Sequence, residues 1–236
     1  MNVMFSKINF LVKNKTSPLI IFLFLLQKIK NIPIKKKILR QKRANQLNLK
    51  NYKISSDWFS SHAFFFKNFM KKLPENFKYL EIGSFEGNSA IFVSSTFPKS
   101  EITCVDPWVN YEENSNANLA YVENFFDLNT KNISNLKKIK NTSDNFFTKN
   151  KQNYDFIYID GYHKYEYVFK DCLNSWEVLV PGGVLVCDDY IWEFYKGKEI
   201  NLNPCFAINK FLEIKKENAK VLLVSSSQIF IQKLKS

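Results

Sequence analysis

Residues 154–171 read YDFIYIDGYHKYEYVFKD. The first six residues are β-branched, aromatic or apolar apart from Asp155, which suits a buried strand ending at Asp160. A glycine follows, and then KYEYVFKDCLNSWEVL (164–179), whose apolar residues recur at helical spacing. His163, one of only two histidines in 236 residues, sits three positions past the acid at the strand tip.

The same strand–turn–helix unit recurs on either side. Strands are expected at FKYLEIGS (77–84), EITCVD (101–106), LKKIK (136–140) and GGVLVCDD (182–189). Helices are expected at SSDWFSSHAFFFKNFMKKL (55–73), EGNSAIFVSSTF (86–97), NLAYVENFFDLN (118–129) and CFAINKFLEIKK (205–216). Short apolar strands alternating with helices predict an α/β fold with a mostly parallel sheet covered on both faces. AKVLLVSS (219–226) and QIFIQKL (228–234) are separated by a tight turn, so they are expected to pair antiparallel at the C-terminus. The Asn-rich stretch 109–135 is expected to cover part of a site.

The net charge of +12 is localised. Residues 1–50 hold 12 Lys/Arg and no Asp or Glu, and residues 51–236 hold 22 basic and 22 acidic residues. The chain therefore reads as a basic appendage, 1–50, and a neutral domain, 51–236. The apolar run PLIIFLFLL (18–26) is far short of the roughly 20 residues that span a bilayer. A Lys-rich stretch follows it, with no small-residue cleavage site. Two readings are open: a short helix packing on this domain or on a second subunit, or an interfacial anchor whose lysines face anionic lipid at about 1 kcal/mol each. The protein is expected to be cytoplasmic, and under the second reading it would also contact the inner membrane face. The neutral domain argues against nucleic acid as partner. Four dispersed cysteines without a CxxC pair read as reduced core thiols.

Chemistry concentrates at four strand ends. In LEIGSFEGNSA (80–90) a strand ends on Glu81, turns through Gly83, Ser84 and Gly87, and enters a helix. The glycines let backbone approach a ligand, although the GxGxxG spacing of the dinucleotide fingerprint is absent. Asp106 ends the next strand, 23 residues beyond Gly83, near the distance expected of a carboxylate on ribose hydroxyls. Ser143 and Asp144, in the turn after the third strand, are candidates to bond an adenine. Asp160, and Asp188 with Asp189, end two further strands. Parallel pairing of these would bring three carboxylates to one edge, where mutual repulsion calls for a hard divalent cation such as Mg²⁺. His163 could take a proton from a substrate hydroxyl there, and Tyr190 and Trp192 could line the acceptor pocket.

Together EIGSFEG, CVDPW, IDGYH and PGGVLVCDDYIW, in this order, resemble the class I S-adenosylmethionine-dependent methyltransferases, and most closely the bacterial group known as methyltransferase family 24. The likeness covers about residues 57–235. It implies a Rossmann-like, mostly parallel seven-stranded sheet with an antiparallel C-terminal strand. It further implies S-adenosyl-L-methionine held by Glu81, Gly83, Ser84, Gly87, Asp106, Ser143, Asp144 and Asp160. Related macrolide-sugar and catechol O-methyltransferases hold a divalent ion with acids at these two strand ends. The resemblance thus implies a metal on Asp160, Asp188 and Asp189, with His163 as base where the catechol group carries lysine. The expected activity is O-methylation of a small-molecule or sugar hydroxyl, with a homo-oligomer as an open state. The alternatives are a cofactor-binding scaffold without turnover and a nucleic-acid methyltransferase guided by the basic N-terminus.

Overall fold

Two helices open the chain: α1 (Val3–Lys13) and α2 (Pro18–Leu49). The computed structural model describes residues 3–111 and 118–235. The apolar run at 18–26, expected to form a short helix, is the first part of the 32-residue α2, which continues through Pro33. The Lys-, Arg- and Leu-rich stretch after Pro33 consists largely of good helix formers and sustains it. Among the described residues, no helix is long and apolar enough to cross a membrane. By contacts the chain forms two compact units, Met1–Ile32 with Gln152–Ser236, and Pro33–Lys151.

The middle unit, Pro33–Lys151, carries α3 (Ala63–Met70), β1 (Lys78–Ile82), α4 (Asn88–Thr96), β2 (Glu101–Asp106), α5 (Leu119–Thr130), β3 (Leu136–Lys140) and α6 (Ser143–Lys149). The strands lie in the order β3-β2-β1, all parallel, with Ile82 opposite Val105 and Asp106 opposite Lys140. Helix α3 is shorter than the expected 55–73. Asp57 accepts the Ser60 N–H at 2.9 Å and side-chain bonds from Gln46 and Asn88, so its carboxylate closes a turn ahead of the helix instead of starting one. Helix α5 matches its expectation, whereas residues 112–117 of the expected covering stretch lie outside the described residues.

The terminal unit carries β4 (Tyr154–Ile159), α7 (Tyr165–Val178), β5 (Leu179–Cys187), a 3-10 turn (Gly197–Leu202), α8 (Pro204–Ile214), β6 (Ala219–Val224) and β7 (Ile229–Lys233). Its strands run β4-β5-β7-β6. The β4–β5 pair is parallel and both β7 pairings are antiparallel, as the tight C-terminal turn predicts. Trp176 and Phe211 meet edge to face at 5.2 Å inside α7 and α8, and both are fully buried. Lys233 Nζ donates to the Trp176 and Leu179 carbonyls at 2.6 and 2.9 Å, capping the end of α7 with positive charge.

Tyr190 does not line a pocket as expected. Its ring is fully buried and its hydroxyl donates to Asn209 Oδ1 at 2.7 Å. Asn209 Nδ2 in turn donates to the Asn14 carbonyl and to Thr16 Oγ1, both at 2.9 Å. A buried polar network therefore fixes the α1–α2 turn to α8. Tyr190→Phe strands the Asn209 carbonyl oxygen, and urea denaturation should show a loss of about 1–2 kcal/mol.

Candidate active site

Two groups of expected site residues form, one in each unit. In the middle unit the loop between β1 and α4 takes positive φ at Gly83 (85°), Phe85 (45°) and Gly87 (84°). Successive amides then point to one side, a shape that suits an anion. Here the anion is Asp106: one carboxylate oxygen accepts the Ser84 and Phe85 N–H at 2.9 and 3.0 Å, and the other accepts the Trp108 N–H at 2.7 Å. Trp108 also donates its indole N–H to the Phe85 carbonyl at 3.0 Å, so the chain beyond Pro107 folds back over the loop. Burial pushes the Asp106 carboxyl up, against the pull of these three amides. A carboxylate offers about four acceptor positions, so one remains for a ribose hydroxyl.

Glu81 is fully buried, and its two oxygens accept the Tyr79 hydroxyl at 2.6 Å and the Ser89 hydroxyl at 2.7 Å. It holds the end of β1 to the start of α4, and any service to a cofactor passes through the loop it positions. Ser84 Oγ, also buried, makes no well-formed hydrogen bond among the described residues and lies within reach of the Cys104 thiol. A buried hydroxyl so placed in a glycine loop is the kind of atom a bound ligand satisfies. At Gly87 a Cβ would lie 3.2 Å from the Phe126 ring, so glycine there answers both the left-handed backbone and the packing of α5. Thr142 caps α6 by accepting the Asn145 N–H, which places Ser143 and Asp144 in its first turn. The Asn141 N–H bonds the Asp106 carbonyl at 3.2 Å, bringing that turn beside the ribose candidate. Asn129, absent from the sequence reading, ties the Lys53 and Glu86 backbones to α5 with bonds of 2.7–3.0 Å.

In the terminal unit, parallel register sets Ile159 opposite Cys187, so Asp160 and Asp188 leave adjoining strands at the same level. The acids then sort into two sets. Asp160, His163 and Asp189 each offer one ligand atom, all within 4.8 Å of one another. His163 Nε2 is 2.9 Å from Asp189 Oδ2 and 3.4 Å from Asp160 Oδ1, and Trp192 packs edge-on against its ring at 5.2 Å. Asp188, expected among the metal ligands, is turned instead toward Tyr158, whose hydroxyl donates a short hydrogen bond to it, and toward Gln228 Nε2 at 2.7 Å. Asp188 also accepts the Asp189 N–H at 2.7 Å, a bond that accompanies the left-handed backbone at Asp189, φ 51°. Burial and then the Asp188 charge push the Asp160 carboxyl up to about 7. Negative charge here is under-compensated, and the Asp160 and Asp189 carboxylates are oxygen donors of the kind a hard divalent cation takes. The sequence reading missed Tyr158 and Gln228. Tyr158 lies two residues before Asp160, hence on the same face of the strand, and its hydroxyl approaches Asp160 Oδ2 at 2.9 Å.

Residues 80–190 match the family model described as a methyltransferase domain, methyltransferase family 24. No curated protein matches the chain. Among solved structures, an O-methyltransferase from Bacillus cereus in complex with SAH is 14% identical over 91% of this chain and 99% of its own, with TM-score 0.54. The O-methyltransferase TomG of Streptomyces achromogenes, in complex with SAM, is 11% identical over 84% of this chain and 89% of its own, with TM-score 0.55. The MycE methyltransferase of the mycinamycin biosynthetic pathway, in complex with Mg, SAH and mycinamycin VI, is 16% identical over 78% of this chain and 51% of its own, with TM-score 0.55. At such identities the likeness is one of fold. Residues 80–190 thus match a methyltransferase-domain model, and the chain shares its fold with O-methyltransferases solved in complex with SAM or SAH.

Proposed function

We propose that this S-adenosylmethionine-dependent methyltransferase acts on oxygen, on a hydroxyl of a small molecule or sugar, with help from a divalent cation. The observation that carries this reading is the Asp160–His163–Asp189 cluster at the ends of β4 and β5. Asp160 and Asp189 would hold the cation, with Asp188 braced behind them by Tyr158 and Gln228. Mg in the complex of the similarly folded MycE supports the choice of ion. When bound, the cofactor would supply an electrophilic methyl and the cation a positive charge that acidifies a nearby hydroxyl.

The chain's own residues supply the remainder. The Asp106 carboxylate, bonded by the loop amides, would accept from the cofactor's ribose, and Ser84 Oγ would offer it a donor. Asp189 accepts His163 Nε2–H, which selects the tautomer with its lone pair on Nδ1. That nitrogen would take the proton of the acceptor hydroxyl. Trp192 packs on the ring and restricts its rotation. The sequence Asp160-Gly-Tyr-His163 stands where amino-directed methyltransferases usually carry D/N-P-P-Y/F, which supports oxygen as the acceptor.

Turnover of S-adenosylmethionine to S-adenosylhomocysteine across a panel of alcohols, sugars and phenols tests the reading. His163→Ala should lower kcat about 10²–10⁴-fold and leave cofactor affinity within about threefold; equal losses in both would make the histidine structural. Removal of divalent ions with a chelator should lower kcat by at least about tenfold, with recovery on adding Mg²⁺ or Mn²⁺. Unchanged turnover in chelator would remove the cation from the proposal. Asp106→Ala frees the loop amides and removes the ribose acceptor, so calorimetry should show S-adenosylmethionine binding weakened by about tenfold or more.

A further inference from the structure

A helix that is apolar around its whole circumference is normally covered on all sides. The first part of α2, PLIIFLFLLQKIKNI (18–32), is close to that composition, yet only one side is covered. Ile20 and Phe24 are buried, whereas Leu19 is 66%, Phe22 58%, Ile29 64% and Ile32 72% exposed. Leu19, Phe22 and Ile29 recur at the three- and seven-residue offsets that share a helix face. Beyond Pro33 the same spacing selects Lys36, Arg40, Arg43 and Leu47. Lys36, Arg40 and Arg43 rim a shallow groove of about 420 Å³ with Leu39 and Leu47 among its apolar lining. Burial and then the neighbouring Lys7 charge press the Lys28 ammonium downward, as expected where cations crowd without acids.

We propose that the outward stripe of α2 docks on the surface of an anionic phospholipid bilayer, apolar side chains entering the acyl boundary and cations meeting headgroup phosphates. Charge complementarity selects this occupant, because residues 1–50 carry 12 cations and no acid. A second copy would bring an equally positive face, and the two would repel. A single-stranded nucleic acid calls for interleaved aromatic rings, and along the exposed stripe only Phe22 supplies one. No described helix can span the bilayer, so the contact lies in the plane of the interface. The effect is to hold the methyltransferase domain at a lipid surface.

The full-length chain is floated with vesicles of phosphatidylcholine alone or with about a third phosphatidylglycerol. The expected result is binding to the anionic vesicles only, weakened by salt. Phe22→Ser with Ile29→Ser should lower partition severalfold, and Lys36→Gln with Arg40→Gln and Arg43→Gln about 100-fold. Both sets are exposed, and far-UV circular dichroism checks that they fold. Absence of wild-type binding to anionic vesicles at low salt overturns the proposal, as does equal binding to neutral vesicles or unchanged partition of the folded variants. Tighter, salt-sensitive binding of a single-stranded RNA overturns it in favour of nucleic acid. A dimer that the variants dissociate overturns it in favour of a second copy.

Discussion

Parallel register between β4 and β5 brings charge together at one edge of the terminal unit. Once Ile159 faces Cys187, the backbone has no freedom to separate the next residues, and Asp160 and Asp188 emerge as neighbours. In water two such carboxylates repel weakly, but half-buried at a strand edge they repel strongly. The structure answers in two ways. Asp188 is drawn into bonds from Tyr158, Gln228, Ser227 and the Asp189 amide, which spread its charge over four donors. Asp160 and Asp189 share His163, and Asp160 still holds its proton to about neutral pH.

The middle unit solves the converse problem. A left-handed, glycine-assisted loop concentrates unpaired N–H groups, which are costly to leave unmet. Asp106 meets two of them with one oxygen and the Trp108 amide with the other. The loop is thus held in shape by bonds from within the chain.

Strand positions were legible because apolar runs bounded by Gly, Asp and Asn have few other homes. EITCVD and LKKIK match β2 and β3 residue for residue. The acids at strand ends and the glycine loop were legible for the same reason, since polarity switches abruptly there. What escaped was the hand each side chain holds. Nothing in VLVCDDY distinguishes Asp188, tied to Tyr158, from Asp189, beside His163, because the difference arises from a left-handed backbone at Asp189 and a glutamine 40 residues away. Tyr190, next in the chain, points into the core for the same local reason. The α3 start was misread because Asp57 has a choice of partners, and residues brought from α2 and α4 decided it. The full extent of α2 escaped because its apolar and basic parts differ in composition and are divided by a proline.

The left-handed backbone at Asp189 has a further meaning. Aspartate tolerates that conformation better than most residues, but glycine adopts it without strain. Evolution toward robustness alone would therefore drift to glycine at this position, relaxing the turn and deleting the carboxylate in one step. An easy turn and a negative charge are opposed at a single backbone angle, and the residue found there keeps its carboxylate beside His163.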